Sequence, residues 1–413
     1  MRKNCLVAQS GGPTAVINSS LYGVISEFLL AQPSGKVYGG LYGIEGIIKD
    51  KVIDLSRHSE EALKELRNMP SSALGSCRYK LPSIEVKSSD YEKLIEIFNK
   101  YEIGYFFYIG GNDSMDAVSK INDYVKKIGL DVKVIGIPKT IDNDLINTDH
   151  TPGFASTAKY LCNIALELWF DINCYDKESI MIMEVMGRDT GWIAGSTGIL
   201  KELVPGINQL IYLPETAFEK ERFIKEVKES LKKNSKLLIV TSEGLKGSNG
   251  EYINVEDNCY EVDSFGHKQL GGVGKYLQDI IKEYVTKNVK LQEAGVVQRC
   301  AMHCSSKTDL NEAEMVGRYG VISALKGKSG FMVAIERNSN NNEEYKSVAG
   351  LVEVSEVCNK VKYVPLDWID KENSNVTEKM RDYIRPLILG NEVALSEDGL
   401  LKYKNTHRFR VER

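Results

Sequence analysis

The sequence predicts an α/β protein with doubly wound domains and mainly parallel sheets. Three observations lead there. Near-continuous apolar runs read as strands covered on both faces. They alternate with helical stretches, and glycine or small polar residues fill the turns between them. At 413 residues the chain exceeds what one small core needs, so two domains are expected.

Taken in order, "NCLVAQ" is a first strand that passes through "SGGP" into the helical "TAVINSSLYGVISEFLL", with Pro13 suited to the first helical position. "IGYFFYIG" leads through "GNDS" to "MDAVSKINDYVKKIG", and "DVKVIGIP" runs into "KTIDND". "TAKYLCNIALELWFDINCY" is a long helix, "SIMIMEVM" a strand, and "GRDTGWIAGSTGIL" a glycine turn followed by a small-residue helix. "QLIYLPE" and "KLLIVTSEG" are further strands around the exposed helix "TAFEKERFIKEVKESLKKN". The asparagine cluster at 337–347 reads as a hairpin turn between "GFMVAIE" and "VAGLVEV". No repeat of fixed period is present.

Composition narrows the function. Hydrophobic content of 42% and charged content of 27% are those of an ordinary globular protein. A net charge of −4 supplies no basic field for nucleic acid or an anionic membrane, so neither is expected as a partner. No apolar run reaches the ~20 residues that span a bilayer, and "MRKNCLVAQSGGP" lacks a signal-peptide core. The eight cysteines are scattered; Cys300 and Cys304 flank His303 without a second ligand pair, so reduced thiols in a cytoplasmic protein are expected rather than zinc.

In a doubly wound fold, ligands sit at the C-terminal ends of the strands. Gly11 and Gly12 form one such turn, neither a dinucleotide fingerprint nor a Walker loop. "GGVGKY" (271–276) is not a P-loop, because Gln269 and Tyr276 stand where glycine and Ser or Thr are needed. Asp113 and Ser114 taken alone are helix caps. "PKTIDND" (138–144) is harder to assign to structure: one aspartate can accept an alcohol's proton, another acid can hold magnesium, and Lys139 can neutralise a transferring phosphoryl group. Three more strand ends suit a sugar phosphate: Met186, Gly187 and Arg188 in "EVMGRDTGW", Glu243 in "TSEG", and Arg299 in "VVQR". Each of these alone also suits a packing turn or surface ion pair.

Together and in this order, "GGP", "GGNDS", "PKTIDND", "EVMGR", "SEG" and "QR" resemble the phosphofructokinase family, from Gly11 to about Arg299. "MHCSSKTDLNEAEMVGRYG" resembles its pyrophosphate-using branch. The resemblance implies an active site in a cleft between two domains. Residues 1–155 with about 300–365 would bind the donor, and about 156–299 with about 366–413 would bind fructose 6-phosphate. It implies that Gly11 binds donor phosphate through its N–H, with Gly12, Gly111 and Arg78 nearby. Asp142 is then the base for the sugar's 1-hydroxyl, Thr140 and Ile141 lie beside it, and Lys139 and Asp113 act at the transferring group. Met186, Gly187, Arg188, Glu243 and the run Val296, Val297, Gln298, Arg299 would hold the sugar phosphate; Asn112, Asp113 and Asp144 are candidate Mg²⁺ ligands.

Two positions imply the donor. ATP users of the family carry glycine at the positions of Asp113 and Lys139. An aspartate there repels a nucleotide's α-phosphate by several kcal/mol, about 4 for unit charges ~4 Å apart at an effective dielectric near 20. Ser179, Lys290 and Val296 depart from the short bacterial enzymes, leaving Arg381, Tyr383 and Arg385 as candidates to complete the 6-phosphate site. The expectation is a cytoplasmic homodimer or homotetramer that transfers phosphate reversibly from pyrophosphate to fructose 6-phosphate. An ATP-dependent enzyme and a non-catalytic sugar-phosphate sensor are the alternatives. A nicotinamide dehydrogenase is disfavoured, since "QSGGPTAV" supplies no GxGxxG.

Overall fold

A computed structural model describes residues 4–86, 88–253, 272–338, 344–391, 396–397 and 400–401. Among the described residues, eleven strands form the two large sheets. The first holds seven strands in the order β11-β10-β5-β4-β1-β2-β3. Its members are β1 (Asn4–Gln9), β2 (Val37–Gly40), β3 (Val52–Asp54), β4 (Ile103–Gly110), β5 (Lys133–Pro138), β10 (Phe331–Arg337) and β11 (Ser347–Glu353). The second runs β7-β8-β6-β9, from β6 (Ser179–Val185), β7 (Gln209–Tyr212), β8 (Lys236–Ser242) and β9 (Val289–Glu293). Every pairing in the second sheet is parallel; in the first, only the edge pairs β2–β3 and β10–β11 are antiparallel.

The apolar runs become the central strands for the expected reason. β1, β6 and β8 are buried at every position, and β4 at all but one. Helices cover both faces of the first sheet: Ile17–Ala31 and Lys307–Leu325 lie over a core with Val7, Phe107 and Ile137. Ser88–Lys100 and Asn112–Lys127 lie over another with Leu6, Phe106 and Met115. Each such buried side chain contributes about 1.5–3 kcal/mol.

The parallel register aligns the strand ends. Gln9 pairs with Ile109 and Gly110 with Pro138, so the loops after β1, β4 and β5 open side by side. Val185 pairs with Ser242 and Glu184 with Glu293, which does the same for the loops after β6, β8 and β9. β10 and β11 form the antiparallel hairpin arms read from the sequence, while residues 339–343 of its turn and Gly271 of "GGVGKY" lie outside the described residues. Two helix starts differ from the sequence reading. The first helix begins at Ile17 rather than Pro13, because the Thr14 hydroxyl accepts the Ile17 N–H at 3.0 Å. Asp113 and Ser114 are not caps: Gly111 occupies the N-cap position and supplies no side chain.

Candidate active site

The two sets of loops face one cleft of about 400 Å³. Gly11, Gly12, Arg78, Gly111, Asn112, Asp113, Lys139, Thr140, Ile141, Asp142 and Asp144 line it from the first sheet's side. Met186, Arg188, Glu243 and Arg299 line it from the second. Most of the residues singled out in the sequence therefore meet in one place.

The donor end is built on backbone. Gly111 hands β4 directly to the helix Asn112–Lys127 without a side-chain cap, so the positive end of that helix's dipole faces the cleft. Gly11 does not offer its amide to a phosphate as expected, because that N–H donates to Cys77 O at 3.1 Å. It serves instead as a left-handed turn (φ +76°) with no side chain to obstruct Lys139: a Cβ there would lie 3.0 Å from the Lys139 Nζ. Lys139 is 3% exposed, reaches across from β5 and donates to Gly12 O at 2.7 Å. Burial brings its ammonium down to about 7, against the opposing pull of Asp142.

The loop after β5 holds the carboxylates. Thr140 Oγ1 accepts the Asp142 N–H at 3.1 Å, and Thr190 Oγ1 donates to Asp142 O at 3.1 Å. Asn143 turns the chain with a left-handed φ of +55°. Its amide donates to the Tyr383 hydroxyl at 3.0 Å, and its carbonyl accepts the Thr151 N–H at 3.1 Å. Asp142 and Asp144 thus stand two residues apart on a loop fixed from several sides. Burial raises the Asp142 carboxyl, opposed by Arg299 and Arg188. Burial and the Asp142 charge push Asp144 up to about 7. Asp144 Oδ1 is buried and has no hydrogen-bond partner among the described residues. An orphaned carboxylate oxygen beside a second acid fits a divalent cation, which would relieve both burial and repulsion.

On the other wall, burial and Asp142 push Glu243 up to about 7. Arg188 Nε is buried and has no hydrogen-bond partner among the described residues. The Arg299 guanidinium lies 3.6 Å from where a Gly12 Cβ would be, so a cation stands where the two walls meet. Gly187 lies behind the cleft wall (φ +134°), where a Cβ would come within 2.6 Å of Ser242 Oγ.

Four expectations fail here. Asn112 is not disposed as a metal ligand: its oxygen accepts the Asn359 N–H and its amide donates to Lys360 O, both at 2.5 Å. Val296 and Val297 are 67% and 59% exposed and do not line the cleft. Gln298 is buried and works indirectly, with Oε1 accepting the Met186 N–H at 3.2 Å and Nε2 donating to Gly295 O at 2.7 Å. Arg381 and Arg385 pair with Glu202, and the Tyr383 hydroxyl donates to Asp149 O at 2.6 Å, so none reaches the cleft. Ser179 and Lys290 lie toward the starts of their strands, away from the cleft, and Lys290 pairs with Asp171 at 2.9 Å. Conversely, Lys80, Asp189, Thr190, Asn359 and Val361 line the cleft unforeseen.

A buried lysine, paired acids and converging arginines at the ends of two mainly parallel sheets define a phosphoryl-transfer site, the class of a phosphotransferase acting on small anions. The phosphofructokinase family model matches residues 4–318, and the chain belongs to the phosphofructokinase family. The chain is 40% identical to pyrophosphate–fructose 6-phosphate 1-phosphotransferase of Methylococcus capsulatus, covering 97% of this chain and 95% of that protein. It is 40% identical to the protein of the same name from Halomonas elongata, covering 99% and 97%. A crystal structure of pyrophosphate-dependent phosphofructokinase from Nitrosospira multiformis superposes with a TM-score of 0.87 at 35% identity, covering 98% of this chain and 96% of that one.

Proposed function

We propose that this protein transfers a phosphoryl group reversibly from inorganic pyrophosphate to the 1-hydroxyl of fructose 6-phosphate, giving fructose 1,6-bisphosphate and phosphate. One observation carries the choice of donor. The buried Lys139 ammonium and the Asp113 carboxylate both line the donor end, the former beside Gly11 and Gly12 and the latter in the first turn of the helix Asn112–Lys127. The lysine gives a compact anion a strong local partner, and the carboxylate opposes a third phosphate-bearing group.

In this reading Asp142 accepts the sugar's hydroxyl proton as the oxygen attacks the nearer phosphorus of pyrophosphate. The P–O bond to the leaving phosphate breaks in line. Lys139 and the positive end of the helix Asn112–Lys127 stabilise charge on the transferring group. Arg188 and Arg299 hold the sugar phosphate, Met186 lies under the ring, and Glu243 accepts from sugar hydroxyls. Asp144, with Asp113, would hold Mg²⁺, which when bound neutralises charge on the donor phosphates.

The division into a donor-binding part (1–155 with about 300–365) and a sugar-phosphate part (about 156–299 with about 366–413) is supported by β10 and β11 pairing into the first sheet. The exposed Val296–Val297 pair beside Arg299 supports assembly into a homodimer or homotetramer. Among the described residues seven thiols are unpaired, which supports a cytoplasmic location. Among the described residues no helix is long and apolar enough to cross a membrane.

The test is turnover with pyrophosphate and with ATP on wild type, Asp113→Gly, Lys139→Gly and the double variant. Pyrophosphate should support wild-type turnover far above ATP, and Asp113→Gly should gain ATP binding. Comparable wild-type rates with ATP would refute the donor assignment.

A further inference from the structure

The contacts of Asn112 point to a role for a segment far along the chain. The Asn112 carboxamide is matched atom for atom to the backbone of two consecutive residues, accepting from Asn359 N–H and donating to Lys360 O. An asparagine suits this because one planar group carries a donor and an acceptor together. The Asn359 side chain adds a second tie one turn along the same helix, donating to Asp116 Oδ1 at 3.2 Å. Asn359 itself sits at φ +60°, a left-handed conformation that asparagine adopts more readily than most residues.

The other end of the segment is tied to the carboxylate loop. Lys362 N–H donates to Asp144 O at 2.8 Å, and Trp192 Nε1–H donates to Lys362 O at 2.8 Å. Residues 359–362 therefore run from the donor-side helix to the loop carrying Asp142 and Asp144. Asn359 and Val361 face the cleft alongside Gly111, Asp113 and Ser114.

Building on the pyrophosphate reading above, we propose that Asn112 is a positioning residue that clamps segment 359–361 as the wall sizing the donor end of the cleft. The wall fits two linked phosphates and excludes longer linear ones. Asn112→Asp keeps the acceptor, loses the donor and sets a negative charge against the Lys360 carbonyl, so it releases the clamp as Asn112→Ala does. A metal-binding residue would behave oppositely, since a carboxylate is the better ligand for a hard cation.

The experiment compares wild type, Asn112→Ala and Asn112→Asp, with Asn112→Ser as a further variant should Asn112→Ala fail to fold. Hydrogen–deuterium exchange on the unliganded proteins reads residues 358–362. Steady-state kinetics read KM for pyrophosphate, tripolyphosphate and fructose 6-phosphate across a magnesium series. Both substitutions should speed exchange over 359–362 and raise KM for pyrophosphate about tenfold, the loss expected for one or two hydrogen bonds. Tripolyphosphate should gain relative to pyrophosphate, with KM for fructose 6-phosphate and the magnesium midpoint unmoved. Unchanged exchange, a parallel rise in KM for fructose 6-phosphate, or an Asn112→Asp enzyme with a lower magnesium midpoint would overturn the clamp. Failure of wild type to use pyrophosphate would instead refute the donor assignment, and the exchange comparison would still judge the clamp.

Discussion

Lys139 links donor binding to pH in a way that can be worked out from its surroundings. Its ammonium is held down to about 7 chiefly by burial. A pyrophosphate settling beside it restores the charged form, so binding takes up a proton wherever the free protein has released it. At pH 8 a group titrating near 7 is about one-tenth protonated, so the uptake is about 0.9 proton and the affinity falls about elevenfold, or about 1.4 kcal/mol, from its acid-side plateau. The lysine's own contribution has a fixed direction: it is full below pH 7 and weakens about tenfold per pH unit above it. Calorimetry of pyrophosphate binding at pH 8, in two buffers of different ionisation enthalpy, measures the uptake. Lys139→Met is the control, because it removes the lysine's proton while leaving those of pyrophosphate itself. An uptake equal in wild type and Lys139→Met would refute the reasoning.

Asp142→Ser should lower kcat by about three or more orders of magnitude by removing the base, with pyrophosphate and sugar-phosphate binding by calorimetry largely retained; a loss below tenfold would remove Asp142 from the chemistry. Gly244→Ala should raise KM for fructose 6-phosphate about tenfold or more, because its Cβ would lie 1.7 Å from the Arg188 carbonyl and displace that arginine. His150, fully buried, meets Asp149 through Nδ1 at 2.9 Å and Glu312 through Nε2 at 2.6 Å. Burial opposes its charge, but the two carboxylates win and raise it from 6.5 to about 9. With the folded value above the unfolded one, this stabilisation is full below pH 6.5 and is lost as pH rises through 9, about 3 kcal/mol in all. The denaturant midpoint of His150→Gln should therefore be flatter than that of wild type between pH 6.5 and 9; equal slopes would sink the idea.

The legible parts of this molecule were those where a local signal has a local cause. Strands such as β4 and β8 announce themselves because burial on both faces leaves no polar alternation to mask them. The site loops were legible because parallel strands place their C-terminal turns together, so Gly111, Lys139, Asp142, Arg188 and Glu243 converge whatever the details between them. Contacts set by distant chain could not be read. The Gly11 amide looks available until Cys77, 66 positions on, takes it. Gln298 looks like a ligand of the sugar until the Met186 amide is seen to occupy it. Asn359 and Val361 carry no motif at all and reach the cleft only because a backbone segment happens to match the Asn112 carboxamide. Arg381, Tyr383 and Arg385 had the right chemistry for a phosphate, but Glu202 and Asp149 claim them first.

The same cleft shows why an enzyme for two anionic substrates gathers groups poised near neutrality. Lys139, Asp144 and Glu243 all sit at about 7, with burial the leading cause in each. Held permanently ionised and without partners, such groups would place several kcal/mol of uncompensated charge in a dry pocket. Near neutrality, the empty cleft can trade protons between acids and lysine and carry little net charge. Arrival of a phosphate beside Lys139, or of a cation beside Asp144, then selects the ionised form of that group alone. Arg188 and Arg299 cannot adjust in this way, since a guanidinium stays charged. The fixed arginines suit a phosphate that is held unchanged, and the adjustable lysine and acids suit the phosphoryl group whose charge shifts during transfer. Exchanging the two kinds, with Lys139→Arg, should preserve pyrophosphate binding at pH 7 while abolishing its proton uptake at pH 8; retained uptake would mean that the proton goes to another group.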